Sequence, residues 1–145
     1  MSPVEVSATA AATPETIWKT CFEPMKWESW DPDLKETRDT EVGCKEGATC
    51  TFVMNDGNVI PVTLSNVQKN KSLNFSGGLF GGILKFVGKV SISPVDSASS
   101  KIEYSFALNG LIGPIISFLK KDDVVGGTQG GLDNMVKLSE EAQKN

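Results

Sequence analysis

Histidine, the side chain most often used for acid–base chemistry, does not occur in this sequence. An imidazole acid or base, a Ser–His or Cys–His nucleophile pair and a His-ligated zinc are therefore excluded. Few candidates remain. Glu36 and Arg38 stand two residues apart in an extended stretch that begins at Leu34, so strict alternation puts both on Leu34's face. If that face is inward, Glu36 serves as a base and Arg38 as an electrophile that polarises a carbonyl or holds a carboxylate. Burial of either charge alone would be costly, so an inward pair would imply purpose. On an exposed strand edge the same residues are merely solvated charges. Tyr104, the single tyrosine, lies on the apolar face of an alternating segment. Its hydroxyl, if buried, needs a backbone or water partner, or else donates to a ligand carbonyl. Asp31 and Asp33 flank Pro32 and read as turn and cap residues.

The other chemically suggestive types are weaker. Cys21, Cys44 and Cys50 form no CxxC pair, which predicts reduced structural thiols and no metal site. Two GGxxGG stretches, residues 77–82 and 126–131, match neither a phosphate-binding loop nor a dinucleotide fingerprint. The first reads as a hairpin with Leu79 and Phe80 at its tip. The second lies inside a helical pattern, where four glycines cost about 3–4 kcal/mol relative to alanine. It is expected to break or bend the helix, to let it lie close against a sheet, or to be a loop between two shorter helices.

The 145 residues suit one domain spanning the whole chain. Acidic residues outnumber basic ones 18 to 14, for a net charge of −4. Only Arg38 among the bases is an arginine, and the lysines are dispersed, so no nucleic-acid partner is expected. No apolar run reaches the roughly 18 residues of a membrane span, which predicts no stable membrane insertion. The first dozen residues lack the basic and apolar regions of a secretory leader, which with the unpaired cysteines predicts a cytoplasmic protein. No cofactor is expected, and the chain is expected to be a monomer or weak homodimer.

These residues must be positioned by a recognisable order of elements. Residues 4–10 alternate as a strand. Thr13 and Pro14 start a helix whose apolar stripe is Ile17, Trp18, Cys21 and Phe22, with Pro24 ending it. Residues 25–30 offer one more short helix, stopped by Asp31-Pro32. Six short strands follow, over residues 34–40, 49–54, 59–67, 72–77, 83–95 and 101–109, with a strong hairpin turn at residues 55–58. The last strand alternates most cleanly, Ile102, Tyr104, Phe106 and Leu108 facing one way. Then Ile112, Ile115, Ile116 and Leu119, and later Leu132, Met135 and Val136, recur at helical spacing. A long helix with one apolar face needs a sheet to cover it.

Four segments in that order carry a family resemblance: Ala12 to Trp18 in the first helix, Trp27-Glu28-Ser29-Trp30-Asp31-Pro32-Asp33-Leu34, Gly47-Ala48, and Gly110 to Ile116. Together they resemble the SRPBCC superfamily, also called START-like or Bet v 1-like, in its polyketide cyclase/dehydrase-type branch. The resemblance covers the whole chain. It implies the α+β helix-grip fold, a curved antiparallel sheet of six or seven strands wrapped around a long C-terminal helix. It also implies an apolar cavity between sheet and helix. On that fold Phe52, Met54, Val62, Leu64, Phe75, Phe86, Val90, Tyr104, Phe106, Ile116, Leu119 and Met135 point inward, as cavity lining or as packed core. Of three clustered tryptophans, Trp30 is the one expected to touch a ligand.

The resemblance implies binding, storage or transport of a hydrophobic small molecule such as a lipid, polyketide or sterol. The alternatives are a cofactor-free cyclase, dehydratase or isomerase using Glu36 with Arg38 or Tyr104, and a stress-related or co-chaperone-like interaction module. An inward Glu36 or Tyr104 hydroxyl favours the enzyme, a purely apolar cavity favours the carrier, and a filled core with an exposed apolar patch favours the interaction module.

Overall fold

A computed structural model of the protein describes residues 3–23 and 25–144. Pro24, the expected stop of the first helix, lies outside the described residues. The strands are β1 (Val4–Ala10), β2 (Leu34–Arg38), β3 (Thr49–Met54), β4 (Val59–Gln68), β5 (Ser72–Leu79), β6 (Leu84–Pro94) and β7 (Ser100–Asn109). All pair antiparallel in one sheet of order β1-β7-β6-β5-β4-β3-β2. Consecutive hairpins make this order, and only β1 has to travel, closing on β7. The helices are α1 (Pro14–Cys21), α2 (Gly113–Leu119) and α3 (Lys121–Lys144), with a 3-10 turn at Trp27–Ser29. This is the helix-grip α+β fold.

Local chemistry explains the first elements. Thr13 is extended and its hydroxyl accepts the Thr16 N–H at 3.3 Å, with Pro14 at the first helical position. Ile17, Trp18 and Cys21 then bury one face of α1. Cross-strand pairing carries the inward face around the sheet: Phe52 opposite Ile60, Leu64 opposite Phe75, Gly77 opposite Phe86, Val90 opposite Tyr104 and Ile102 opposite Ala8. Partners in register share a face, so the apolar residues of seven strands converge on one core beneath α1 and α3.

The glycine-rich 126–131 stretch neither breaks nor loops out: α3 runs through it unbroken. The interruption falls earlier, at Lys120, between α2 and α3. The glycines are accommodated by close packing. A Cβ on Gly131 would lie 3.3 Å from the Tyr104 ring and 3.4 Å from Trp30, and one on Gly127 only 2.6 Å from an Asp33 carboxylate oxygen. Tertiary contact with the segment before β2 thus offsets the poor helix propensity.

The first half of the expected C-terminal stripe also differs. On α2 the buried residues are Gly113 and Ser117, while Ile115 and Phe118 are exposed and Leu119 is 70% exposed. A Cβ on Gly113 would meet the Leu108 carbonyl at 2.8 Å. Small residues therefore let α2 sit directly on the end of β7, and its large apolar residues face out. Ile116 is half-buried and Leu119 lies outside the core.

Candidate ligand-binding cleft

A cleft of about 430 Å³ opens between the inward face of the sheet and the first half of α3. This is within the ~300–1,000 Å³ typical of small-molecule sites. Its walls are Phe52, Met54, Phe75, Phe86, Tyr104 and Phe106, with Leu79, Leu84 and Leu108 toward one end and Val124 and Thr128 from α3. The aromatic walls brace one another: Phe75 lies 6.3 Å from both Phe52 and Phe86 and 6.4 Å from Tyr104, and Phe86 stacks on Phe106 at 5.9 Å. Its polar side is supplied by Asp31 and Asp33, by Asn55, Asp56 and Asn58 of the β3–β4 hairpin, and by Lys120 and Asp123 at the start of α3.

Two of these acids, Asp31 and Asp33, are the ones the sequence reads as turn and cap residues. Asp31 does make a turn, accepting the Asp33 N–H at 2.9 Å. It is also half-buried. Burial raises its pKa to about 6, against the lowering effect of that hydrogen bond, and the neighbouring charge of Asp33 raises it further. Burial, then Asp123 and Asp56, push Asp33 up as well. The Tyr104 phenol is held above its ordinary pKa by burial first and then by the charges of Asp31 and Asp33, so it stays a neutral hydroxyl.

A raised folded-state pKa means that folded Asp31 holds its proton more tightly than the unfolded chain, whose value is about 3.9. The neutral form is the favoured folded form, so this contribution is fully present below about pH 4. It is lost as pH rises through 6. Asp31→Asn keeps an oxygen for the Asp33 N–H and should stabilise the protein by about 2 kcal/mol at pH 7 but hardly at pH 4. Urea unfolding at both pH values checks this; an equal effect at both would contradict it.

Of the sequence-predicted lining, Phe52, Met54, Phe75, Phe86, Tyr104 and Phe106 come together around the cleft. Val62, Leu64, Val90 and Met135 are buried core residues away from it. Trp30 is also core: its indole N–H donates to the Cys21 carbonyl at 2.9 Å and its ring meets Tyr104 edge-on at 5.8 Å, beneath the cleft wall. Ile116 and Leu119 do not line the cleft.

Glu36 and Arg38 lie outside. Leu34 pairs with Met54 but Glu36 pairs with Val53, so Lys35 is an extra residue in a bulge. The bulge reverses the alternation, putting Thr37 opposite inward-facing Phe52 and turning Glu36 and Arg38 to solvent. There the two side chains, 43% and 57% exposed, pair with each other at 2.6 Å. Such an exposed pair contributes little stability.

The three cysteines are free and buried, and burial raises each thiol, Cys21 and Cys50 to about 11 and Cys44 to about 12. They are protonated and unreactive near neutral pH. Among the described residues, no three carboxylates or thiols converge as a metal site, and no helix is long and apolar enough to cross a membrane. A second groove, of about 440 Å³, runs over the outward face of the sheet between Glu5, Ser7, Asn74, Lys89, Glu103 and Ser105. Its lining is mostly polar, with Tyr104 its one aromatic residue, which sets it apart from the cleft.

Known structures share this architecture. XoxI of Bacillus cereus is 16% identical, with a TM-score of 0.71 over 94% of each chain. Norcoclaurine synthase of Thalictrum flavum, solved with dopamine and hydroxybenzaldehyde, is 13% identical, with a TM-score of 0.69 over 97% of this chain and 87% of that one. The di-domain ARO/CYC protein BexL of the BE-7585A biosynthetic pathway is 13% identical, with a TM-score of 0.74 over 97% of this chain and 47% of BexL, about half its length. At such identities the likeness is one of fold. No curated protein matches in sequence. The family described as polyketide cyclase/dehydrase and lipid transport, however, matches residues 1–140, and with the helix-grip sheet and its aromatic cleft in place the chain belongs to that family.

Proposed function

We propose that the protein binds a hydrophobic small molecule between the sheet and α3 and holds or carries it without covalent chemistry. The observation behind this reading is the cleft itself: aromatic walls from four strands surround about 430 Å³ that no side chain fills. A core meant only for packing would close to near-crystalline density. The family includes lipid transport and polyketide cyclisation, both of which need an apolar site of this kind.

Two measurements test it. Native mass spectrometry of protein purified from its own source should show a retained apolar molecule. In titrations with the neutral fluorophore N-phenyl-1-naphthylamine, Val124→Trp should cut affinity at least tenfold, because the new indole fills the cleft from α3. Absence of binding, or equal binding by the variant, would overturn the proposal.

One observation favours a second reading as a cofactor-free lyase or isomerase: a carboxylate with a pKa of about 6 close to a neutral phenol in an apolar cleft. On that reading the roles first given to Glu36 and Arg38 pass to Asp31 as proton acceptor and Tyr104 as hydrogen-bond donor. A turnover profile with an inflexion near pH 6, abolished by Asp31→Asn, is its signature. The interaction-module reading called for a filled core beside an exposed apolar patch. The patch exists on α2, but the core is not filled.

A further inference from the structure

We propose that the cleft selects amphiphiles in which an aromatic or aliphatic body carries an organic ammonium group, the body lying against the phenyl rings and the cation among carboxylates at the mouth. This deepens the binding reading above and rests on it.

The mouth is strongly one-signed. Asp31, Asp33, Asp56 and Asp123 all line it, and the only basic residue there is Lys120. Four carboxylates against one ammonium leave three negative charges in excess when all are ionised. Among the described residues none of the four is in a salt bridge. Their hydrogen-bond donors are neutral: the Asp33 N–H for Asp31, and the Asn58 N–H and side-chain amide, each at 2.9 Å, for Asp56. The charges are therefore oriented but not cancelled. Asp123 and Asp56 both raise the pKa of Asp33, which shows that the carboxylates act on one another across the mouth. Apolar walls on one side concentrate such a field.

A second, independent observation points to the same occupant. Tyr104 is only 5% exposed, lines the cleft, and its hydroxyl makes no hydrogen bond among the described residues. The hydroxyl oxygen is not fully sealed from solvent, so water or a ligand in the cleft supplies the partner that the protein does not. It lies near Asp31 and Asp33, whose charges it senses. An ammonium has several donors and no acceptor, so it can serve the Tyr104 oxygen and flanking carboxylates together. The faces of Tyr104 and the neighbouring phenylalanines add cation–π attraction. The carboxylates do not converge as a metal site, which suits an extended organic cation better than a bare metal ion. Carboxylate or phosphate amphiphiles meet repulsion instead.

The test compares three probes of one shape with the full-length chain: 2-naphthylethylamine, 2-naphthaleneethanol and 2-naphthylacetate, by calorimetry at pH 7.5 and low salt. The amine should bind roughly tenfold tighter than the alcohol, the sum of a few partly exposed ionic contacts of modest strength each, and the acetate weakest. Asp33→Asn/Asp123→Asn should bring the amine-to-alcohol ratio close to one. Neither carboxylate makes a hydrogen bond among the described residues, so the fold should survive; Asp31→Asn provides a second variant with the same expected direction. The ratio should also fall as pH drops through 6 and Asp31 takes up its proton, with Asp33, Asp56, Asp123, Lys120 and Tyr104 as the other charged or titratable groups facing it. If the alcohol binds and the amine binds no tighter, the ammonium proposal fails while the binding reading stands. If none of the three binds, both fail. A ratio untouched by all the Asp→Asn changes would likewise overturn the role given to the carboxylates.

Discussion

Trp27→Ala is expected to destabilise the protein by about 4 kcal/mol, within the roughly 3–5 kcal/mol seen when a buried aromatic residue is truncated. Trp27 is fully buried. Its ring lies 5.9 Å from Phe22, 6.0 Å from Phe52, 6.4 Å from Phe75 and 6.5 Å from Trp30. It therefore joins the turn before β2, the helix α1 side and two strands of the sheet. These rings are held by one another and cannot collapse into the space left behind, so the cavity remains. For a domain of this size, with ~0.05–0.15 kcal/mol of stability per residue, that is a large share of the total. Trp27→Phe should lose much less. It keeps most of the ring contacts and removes an indole N–H that has no hydrogen-bond partner among the described residues. Urea unfolding followed by far-UV circular dichroism measures both; a loss below about 1 kcal/mol for the alanine variant would show that the cluster does not brace the fold.

Gly88→Ala should cost about 3 kcal/mol although it adds a single methyl group. Gly88 sits on β6 directly between Phe75 on β5 and Phe106 on β7. A Cβ there would fall inside the Phe75 ring. That ring cannot swing aside at low cost, because it is 1% exposed and packed among Trp27, Phe52, Phe86 and Tyr104. The same change at Gly126 in α3, where nothing lies within 4 Å, should instead stabilise by up to about 1 kcal/mol through helix propensity. Opposite signs for one chemical change, read in parallel thermal melts, distinguish packing from propensity. Because Phe75 and Phe106 both line the cleft, Gly88→Ala should also weaken binding of N-phenyl-1-naphthylamine.

Elements and site were legible to different depths. The alternation over Ile102, Tyr104, Phe106 and Leu108 was visible in the chain, and those residues do face inward, with Tyr104, Phe106 and Leu108 on the cleft. The same alternation rule misplaced Glu36 and Arg38, because one extra residue at Lys35 reverses it, and a bulge leaves no mark in a five-residue strand. Helical periodicity found the stripe from Ile112 to Leu119 but not which side of it packs. Gly113 and Ser117 admit the β7 backbone more closely than Ile115 or Leu119 would. Pro32 between two aspartates spoke only of a turn. That Asp31 and Asp33 also face Asp56 and Asp123 depends on segments remote in the chain meeting at one mouth.

Local patterns by themselves determined the order of strands and helices, the inward face of most strands, the reduced state expected of the thiols and the exclusion of imidazole chemistry. Each follows from neighbours in the chain, where periodicity and residue type act directly. Tertiary structure alone decided that the glycine-rich stretch stays helical against Trp30 and Tyr104, that the aromatic rings leave a cleft unfilled, and that its acidic groups come together from two turns and the start of α3. Those outcomes depend on distances between segments remote in sequence. Close packing, burial of charge and repulsion between carboxylates begin only when the segments meet.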